Sequence, residues 1–246
     1  TGAITPLPIA HLDAYTPRLS PDGQFVAYQR RGADGNRVYV LDRERESTSR
    51  LTTAPDSVQE WWFTWGTDSR TMFFNSSLGE SGSTINVNLF SKLLTEPGEG
   101  DPLQTESANL APQQVSPDGR WLLYIRDGSR WGTGIDIHAL DLETNEHFPI
   151  IDTPANDFQP MLSPNGRWLA FASDRTGSWQ TYVQPWPEGG TVQPVSTDES
   201  GGGEPTWSAD GSMLYFRSRS GRQIYGVDVY EDPVAGGERT LRIGRI

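Results

Sequence analysis

Val115-Ser116-Pro117-Asp118-Gly119-Arg120-Trp121-Leu122-Leu123-Tyr124-Ile125 is the stretch from which the fold is read. Pro followed by Asp-Gly favours a tight reversal: proline presets φ, aspartate bonds its own backbone, and glycine takes positive φ without a steric cost. The run that follows, Trp121 to Ile125, is continuously apolar, as a strand covered on both faces requires. Val115 marks an apolar residue on the other side of the turn, so the segment reads as a hairpin joining two buried strands.

Moving outward, the same turn recurs as Ser20-Pro21-Asp22-Gly23, Ser163-Pro164-Asn165-Gly166 and Ser208-Ala209-Asp210-Gly211, with a degenerate copy at Gly66-Thr67-Asp68-Ser69. Measured at Asp22, Asp68, Asp118, Asn165 and Asp210, the spacings are 46, 50, 47 and 45 residues. Six residues after each anchor stands an aromatic (Tyr28, Phe74, Tyr124, Phe171, Phe216), and three before it an apolar residue (Leu19, Trp65, Val115, Leu162, Trp207). A second polar turn follows, such as Ser173-Asp174-Arg175-Thr176-Gly177. Then come a third strand, such as Val38-Tyr39-Val40-Leu41, and a short fourth, such as Pro194-Val195-Ser196. Four strands in 45–50 residues, repeated, predict an all-β fold: a β-propeller of four-stranded antiparallel blades with five repeats visible. No segment carries a sustained helical period. The expected single domain has blades at 14–53, 60–105, 110–152, 157–197 and 203–246. Residues 4–8 are expected to close the ring as an outer strand, a place for which the tail around Leu241 competes, and a six-bladed parent is an alternative.

Composition agrees. The 26 glycines and 18 prolines in 246 residues exceed the ordinary usage of roughly 7% and 5%, which suits a turn-rich chain. Nine Trp, nine Phe and eight Tyr supply bulk for a core. Without cysteine there is no disulfide framework, thiolate metal site or cysteine nucleophile. The net charge of −12, with no basic cluster, argues against nucleic acid as a partner. No apolar run reaches the ~18 residues of a membrane span. The chain opens at Thr1 without Met or a charged-then-apolar leader, and so reads as processed or trimmed.

The Ser-Pro-Asp-Gly hairpin, aromatic second strand and Asp-Arg-x-Gly turn resemble the WD-like propeller repeats of TolB, the periplasmic protein of the Tol system. The likeness is strongest to TolB-like propellers attached to bacterial membrane-anchored serine/threonine kinases and transcriptional regulators. The run from Phe158 to Tyr182, followed by Val183-Gln184-Pro185-Trp186-Pro187, carries it most clearly. The second blade departs furthest, with Trp61-Trp62-Phe63-Thr64-Trp65 and a long loop through Gly79-Glu80-Ser81-Gly82-Ser83. The resemblance implies a periplasmic or extracytoplasmic propeller that binds another protein, as an accessory or scaffold subunit of an envelope or membrane complex, or as a sensor.

Catalytic constellations are not legible. The turn aspartates read as turn caps, and a sialidase-type Asp-box fails because Gly follows Asp directly. His11, His138 and His147 share no metal-ligand spacing. No Gly-x-Ser-x-Gly elbow occurs, and Gly201-Gly202-Gly203 lacks the strand–helix context of a phosphate cradle. The expectation is therefore a non-enzyme with no catalytic residue, metal or cofactor. A small-molecule or glycan-binding propeller is the first alternative, and a hydrolase or lyase whose acids converge only in space is the second. Trp61, Trp62, Trp131, Trp179 and Trp186 fall outside the repeat's core positions, and they are the candidate partner-binding residues, because Trp and Arg dominate interface hot spots.

Overall fold

The computed structural model describes residues 7–9, 13–33, 35–79, 86–105, 108–128, 134–197, 200–233 and 239–244. They form five four-stranded antiparallel sheets, the blades of a β-propeller, and no helix. The first sheet holds β1 (Ala14–Leu19), β2 (Phe25–Gly32), β3 (Gly35–Asp42) and β4 (Ser47–Arg50); the second holds β5 (Glu60–Trp65), β6 (Thr71–Ser76), β7 (Asn88–Leu93) and β8 (Asp101–Gln104). The third is built from β9 (Asn109–Val115), β10 (Trp121–Asp127), β11 (Ile135–Asp141) and β12 (His147–Ile151). The fourth has β13 (Asp157–Leu162), β14 (Trp168–Ser173), β15 (Gln180–Pro185) and β16 (Gln193–Pro194). The fifth has β17 (Gly203–Trp207), β18 (Met213–Arg217), β19 (Ile224–Pro233) and β20 (Arg239–Ile243). In every sheet the strands neighbour one another in chain order. Leu7, Pro8 and Ile9, the described residues around the expected closing strand, lie outside every strand, and β20 supplies the fourth strand of the fifth sheet. Residues 4–6 are outside the described residues.

The chain divides into two compact units, Thr1–Pro112 and Gln113–Ile246. In each, the core lies between neighbouring sheets. In the first unit, Ala27, Val38, Val40 and Leu51 pack on Phe63, Trp65, Met72, Phe74 and Phe90. In the second, Leu123, Ile137, Ala139 and Ile151 meet Leu169, Phe171, Tyr182 and Trp186. A further layer there joins Trp168, Ala170 and Val183 to Trp207, Leu214, Phe216 and Val227. The aromatics of the repeat are these interlocking side chains: Tyr28, Phe74, Tyr124, Phe171 and Phe216 are all essentially fully buried.

Four of the five turns are held by the same bonds. Ser20 Oγ donates to Asp22 Oδ1 (2.6 Å) and accepts from Phe25 N (2.9 Å), while Gln24 N donates to Asp22 Oδ1 (2.9 Å). Ser208, Asp210, Ser212 and Met213 repeat the pattern. The Ser20 hydroxyl and then the Gln24 N–H hold the Asp22 carboxyl down at about 2; Ser208 and then Ser212 do the same for Asp210, also at about 2. The degenerate copy replaces the serine by Gly66, and Thr71 Oγ1 donates to Asp68 Oδ2 instead (2.6 Å). Ser69 stands there at φ 60°, in the place of glycine. Its hydroxyl accepts from Asp22 N of the first sheet (3.0 Å), a bond glycine could not make.

Asn165 is the other departure from the motif, and its cause lies 66 residues downstream. β19 runs past the end of β18: Met213 pairs with Asp228, and beyond it Val229 to Pro233 pair only with β20. From this projecting hairpin Glu231 reaches the fourth sheet. Its Oε1 accepts from Asn165 Nδ2 (2.6 Å) and Trp168 Nε1 (2.8 Å), and its Oε2 accepts from Arg167 Nη1 (2.8 Å). Asn165 Oδ1 still serves the turn, accepting from Ser163 Oγ (2.7 Å). An aspartate would serve the turn equally well but would set a second carboxylate against Glu231. Asn165→Asp is therefore expected to lower stability by about 1–2 kcal/mol at neutral pH. The two carboxylates bind a shared proton more tightly than the unfolded chain does, so the loss shrinks as pH falls toward 4. Denaturant melts of the variant at pH 4 and pH 7 check this.

Candidate functional site

The first strand of four sheets carries an irregularity at one position. Register breaks fall between Tyr15 and Arg18, Glu60 and Phe63, Phe158 and Met161, and Gly203 and Thr206. Thr16, Trp62, Gln159 and Glu204 each stand six residues before their turn anchor. Three of them take left-handed backbone without being glycine: Thr16 at φ 49°, Gln159 at 55° and Glu204 at 54°. Bulges re-aim side chains and strained residues concentrate at functional positions, which makes this row the place to look for a site.

In the first unit the row is aromatic. Tyr15, Thr16, Arg18, Gln29, Trp61 and Trp62 line a cavity of about 290 Å³ together with Phe63. Trp62 is 43% and Tyr15 38% exposed, and Trp61 is half-buried. Asn75, completely buried on β6, holds the two tryptophans by their backbone: Oδ1 accepts from Trp61 N (3.0 Å) and Trp62 N (2.8 Å), and Nδ2 donates to Leu110 O (2.8 Å). Tyr15 is fixed by donating its hydroxyl to Asn36 Oδ1 (3.1 Å), and burial pushes that phenol up. Gln29 Nε2 donates to Glu60 O (3.3 Å), tying the floor to β5. The Glu60 carboxylate is buried, which raises its pKa, and it accepts from Thr52 Oγ1 and Val38 N.

In the second unit the matching cavity, about 380 Å³, is lined by Phe158, Gln159, Trp179, Gly203, Glu204 and Arg217, among others. Gln159 Oε1 accepts from Glu204 N (2.7 Å), and Arg217 Nη1 pairs with Glu204 Oε1 at 2.6 Å. Trp179 is 38% exposed over this cavity. Trp186 is instead buried, edge-to-face against Trp121 with centroids 5.9 Å apart. Trp131 lies outside the described residues. The structure thus brings Trp61 and Trp62 together, sets Trp179 alone over the second cavity, and puts Trp186 in the core. Arg18, Tyr15 and Asn75 are the residues that sequence reasoning missed; the shared position of Thr16 and Trp62 ahead of the turn was the available signal.

A hollow of about 760 Å³ along β4 is rich in arginine, but those side chains are engaged. Arg43 donates to Gly23 O, Arg50 to Ala54 O and Arg70 to Asp22. Asp136, on β11, is a buried carboxyl whose Oδ1 meets no hydrogen-bond donor. Burial first, and then the charge of Asp152, push it up to about 6. The folded state therefore binds this proton more tightly than the unfolded chain. Its contribution is most favourable below the ordinary carboxylate value of 3.8 and declines as pH rises toward 6. Asp136→Asn is expected to flatten that part of the stability–pH profile and to raise stability at pH 7, measured by thermal melts across pH 4–7. His138 and His147 flank Tyr124, whose hydroxyl lies 3.1 Å from His147 Nδ1. Among the described residues no three His, Asp or Glu side chains are grouped as metal ligands.

The model of the TolB beta propeller domain matches residues 102–231. No curated protein sequence matches the chain. Among solved structures, the putative TolB from Agrobacterium tumefaciens superposes with a TM-score of 0.67 at 18% identity, covering 94% of this chain and 79% of that one. TolB from Acinetobacter baumannii gives 0.67 at 17%, covering 94% of this chain, which spans 54% of the Acinetobacter protein. Oligogalacturonate lyase from Vibrio parahaemolyticus gives 0.61 at 11%, covering 90% of this chain and 67% of that one. At these identities the likeness is one of fold, shared by proteins with and without catalytic names.

Proposed function

The chain belongs to the TolB β-propeller domain family, and from that premise we propose that it is a non-catalytic, extracytoplasmic propeller that docks another protein, as an accessory subunit or sensor of an envelope complex. The observation that carries the reading is the exposed aromatic row: Trp62 and Tyr15 beside Arg18 in the first unit, and Trp179 beside Arg217 in the second. Tryptophan, tyrosine and arginine are the side chains that concentrate binding energy at protein interfaces. Asn75 holds the Trp62 backbone and Trp179 O accepts from Gly202 N (2.9 Å), which lowers the ordering cost of binding at these two residues. Among the described residues no helix is long and apolar enough to cross a membrane, and attachment to a membrane complex runs through the partner in this reading.

Capture of a partner from the native membrane fraction tests it. One protein should co-purify reproducibly with the intact chain, and Trp62→Ala or Trp179→Ala should each weaken its binding by at least about tenfold with melting temperature unchanged. Wild-type capture by both variants, or capture of nothing, overturns the assignment of these residues.

A further inference from the structure

We infer that the cavity bounded by Tyr15, Arg18, Trp61 and Trp62 binds a monocarboxylate carried on a flat apolar body, with Arg18 as the anion receptor and the tryptophans as the wall. Arg219 of the second cavity is exposed to solvent, whereas other arginines of the molecule have acceptors. Arg217 is paired with Glu204, Arg175 with Asp157, Arg70 with Asp22, and buried Arg37 donates to Val58 O and Pro55 O. Arg18 differs: among the described residues no carboxylate or carbonyl meets its guanidinium, although the side chain lines the cavity and is half-buried. Its backbone carbonyl accepts from Trp65 Nε1 at 3.0 Å. Removal from water without a counter-charge lowers the Arg18 pKa, the condition that an incoming anion relieves.

Two carboxylates of the same unit are already committed. Asp13 pairs with Arg30 at 3.4 Å, and Glu60 faces Thr52 and Val38. A guanidinium takes a carboxylate through two parallel N–H···O bonds, which selects a carboxylate over a neutral amide of the same shape. At about 290 Å³ the cavity sits at the small end of ligand sites and suits one ring. The carboxylate has two sources, a free aryl acid or the C-terminal residue of a polypeptide. The inference rests on the docking reading only in taking this face as the one that meets a ligand.

Titration of the intact chain, followed by tryptophan fluorescence, uses 3-phenylpropionate and N-acetylphenylalanine, each beside its amide. Saturable quenching by the acids, at least tenfold weaker for the amides and weakened by added salt, is expected. Arg18→Gln should abolish the acid-over-amide preference, Arg18→Lys should keep part of it, and Trp62→Ala should weaken acid and amide alike, with unchanged melting temperature in all three. A preference for N-acetylphenylalanine supports the site as a reader of chain ends, and a preference for 3-phenylpropionate supports it as a metabolite site. Equal binding of acids and amides, wild-type affinity in Arg18→Gln, or no saturable binding overturns the inference. Partner capture that fails while acids still bind overturns the docking reading alone.

Discussion

Replacing Asn75 by alanine is expected to lower the unfolding free energy by about 3–4 kcal/mol, the largest effect of any single polar side chain outside the turns. The substitution strands two backbone N–H groups, Trp61 and Trp62, and one carbonyl, Leu110, around a side chain with no solvent exposure. Each unpaired buried group costs about 1–3 kcal/mol, and partial relaxation keeps the total below the sum. For a chain of this size the loss corresponds to roughly 10 °C in melting temperature. Asn75→Asp is the informative companion, because it preserves the acceptor for both tryptophans while setting a second carboxylate oxygen, and a buried charge, against the Leu110 carbonyl. Intrinsic fluorescence separates the two variants: alanine frees the Trp61–Trp62 segment and shifts the emission, whereas aspartate leaves it anchored. A melting curve for Asn75→Ala that overlays the wild type would show that the bulge is held by something other than this amide.

Glu231→Ala is the second large effect, expected at about 2–3 kcal/mol. One carboxylate serves Asn165, Arg167 and Trp168. Arg167 can turn to water, but the indole of Trp168 is buried and loses its acceptor, which sets most of the cost. Glu231→Gln keeps one oxygen for the indole and gives up the ion pair, so it should lose only about 1 kcal/mol, in keeping with a half-exposed Arg167. Hydrogen exchange at the β19–β20 hairpin should accelerate in Glu231→Ala before the rest of the second unit responds.

The architecture was legible because its signals are local and repeat at nearly fixed distance from the turn. Ser, Asp and Gly at the hairpin, and the aromatic six residues on, obey one steric and hydrogen-bonding rule in each copy. Trp186 was misjudged for the complementary reason. It directly follows the third strand, as Leu94 and Leu142 do in other sheets, and its N–H bonds back to Arg167 O, the turn residue before the second strand, as Leu94 N does to Arg70 O, Leu142 N to Arg120 O and Val229 N to Ser212 O. The turn before the third strand varies in length, so this position drifts from 19 to 26 residues after the anchor, and counting does not reveal it as core. Trp62 stands six residues before its anchor, as Thr16, Gln159 and Glu204 do before theirs, and it is exposed. Arg18 carries no sequence signature at all. Its significance is the lack of an acceptor, a property of what surrounds it.

The Asn165–Glu231 contact makes the repeats unequal parts despite their common pattern. The third copy carries Asp118 at the turn, with the same Ser–Asp bond that Ser163 and Asn165 make in the fourth. Grafted in place of the fourth copy, it would present a carboxylate to the Glu231 arm. Blades of this chain therefore cannot be recombined freely: a transplant succeeds only when turn residue and arm travel together. The fourth and fifth copies thus form a matched pair, joined by the Asn165–Glu231 bond.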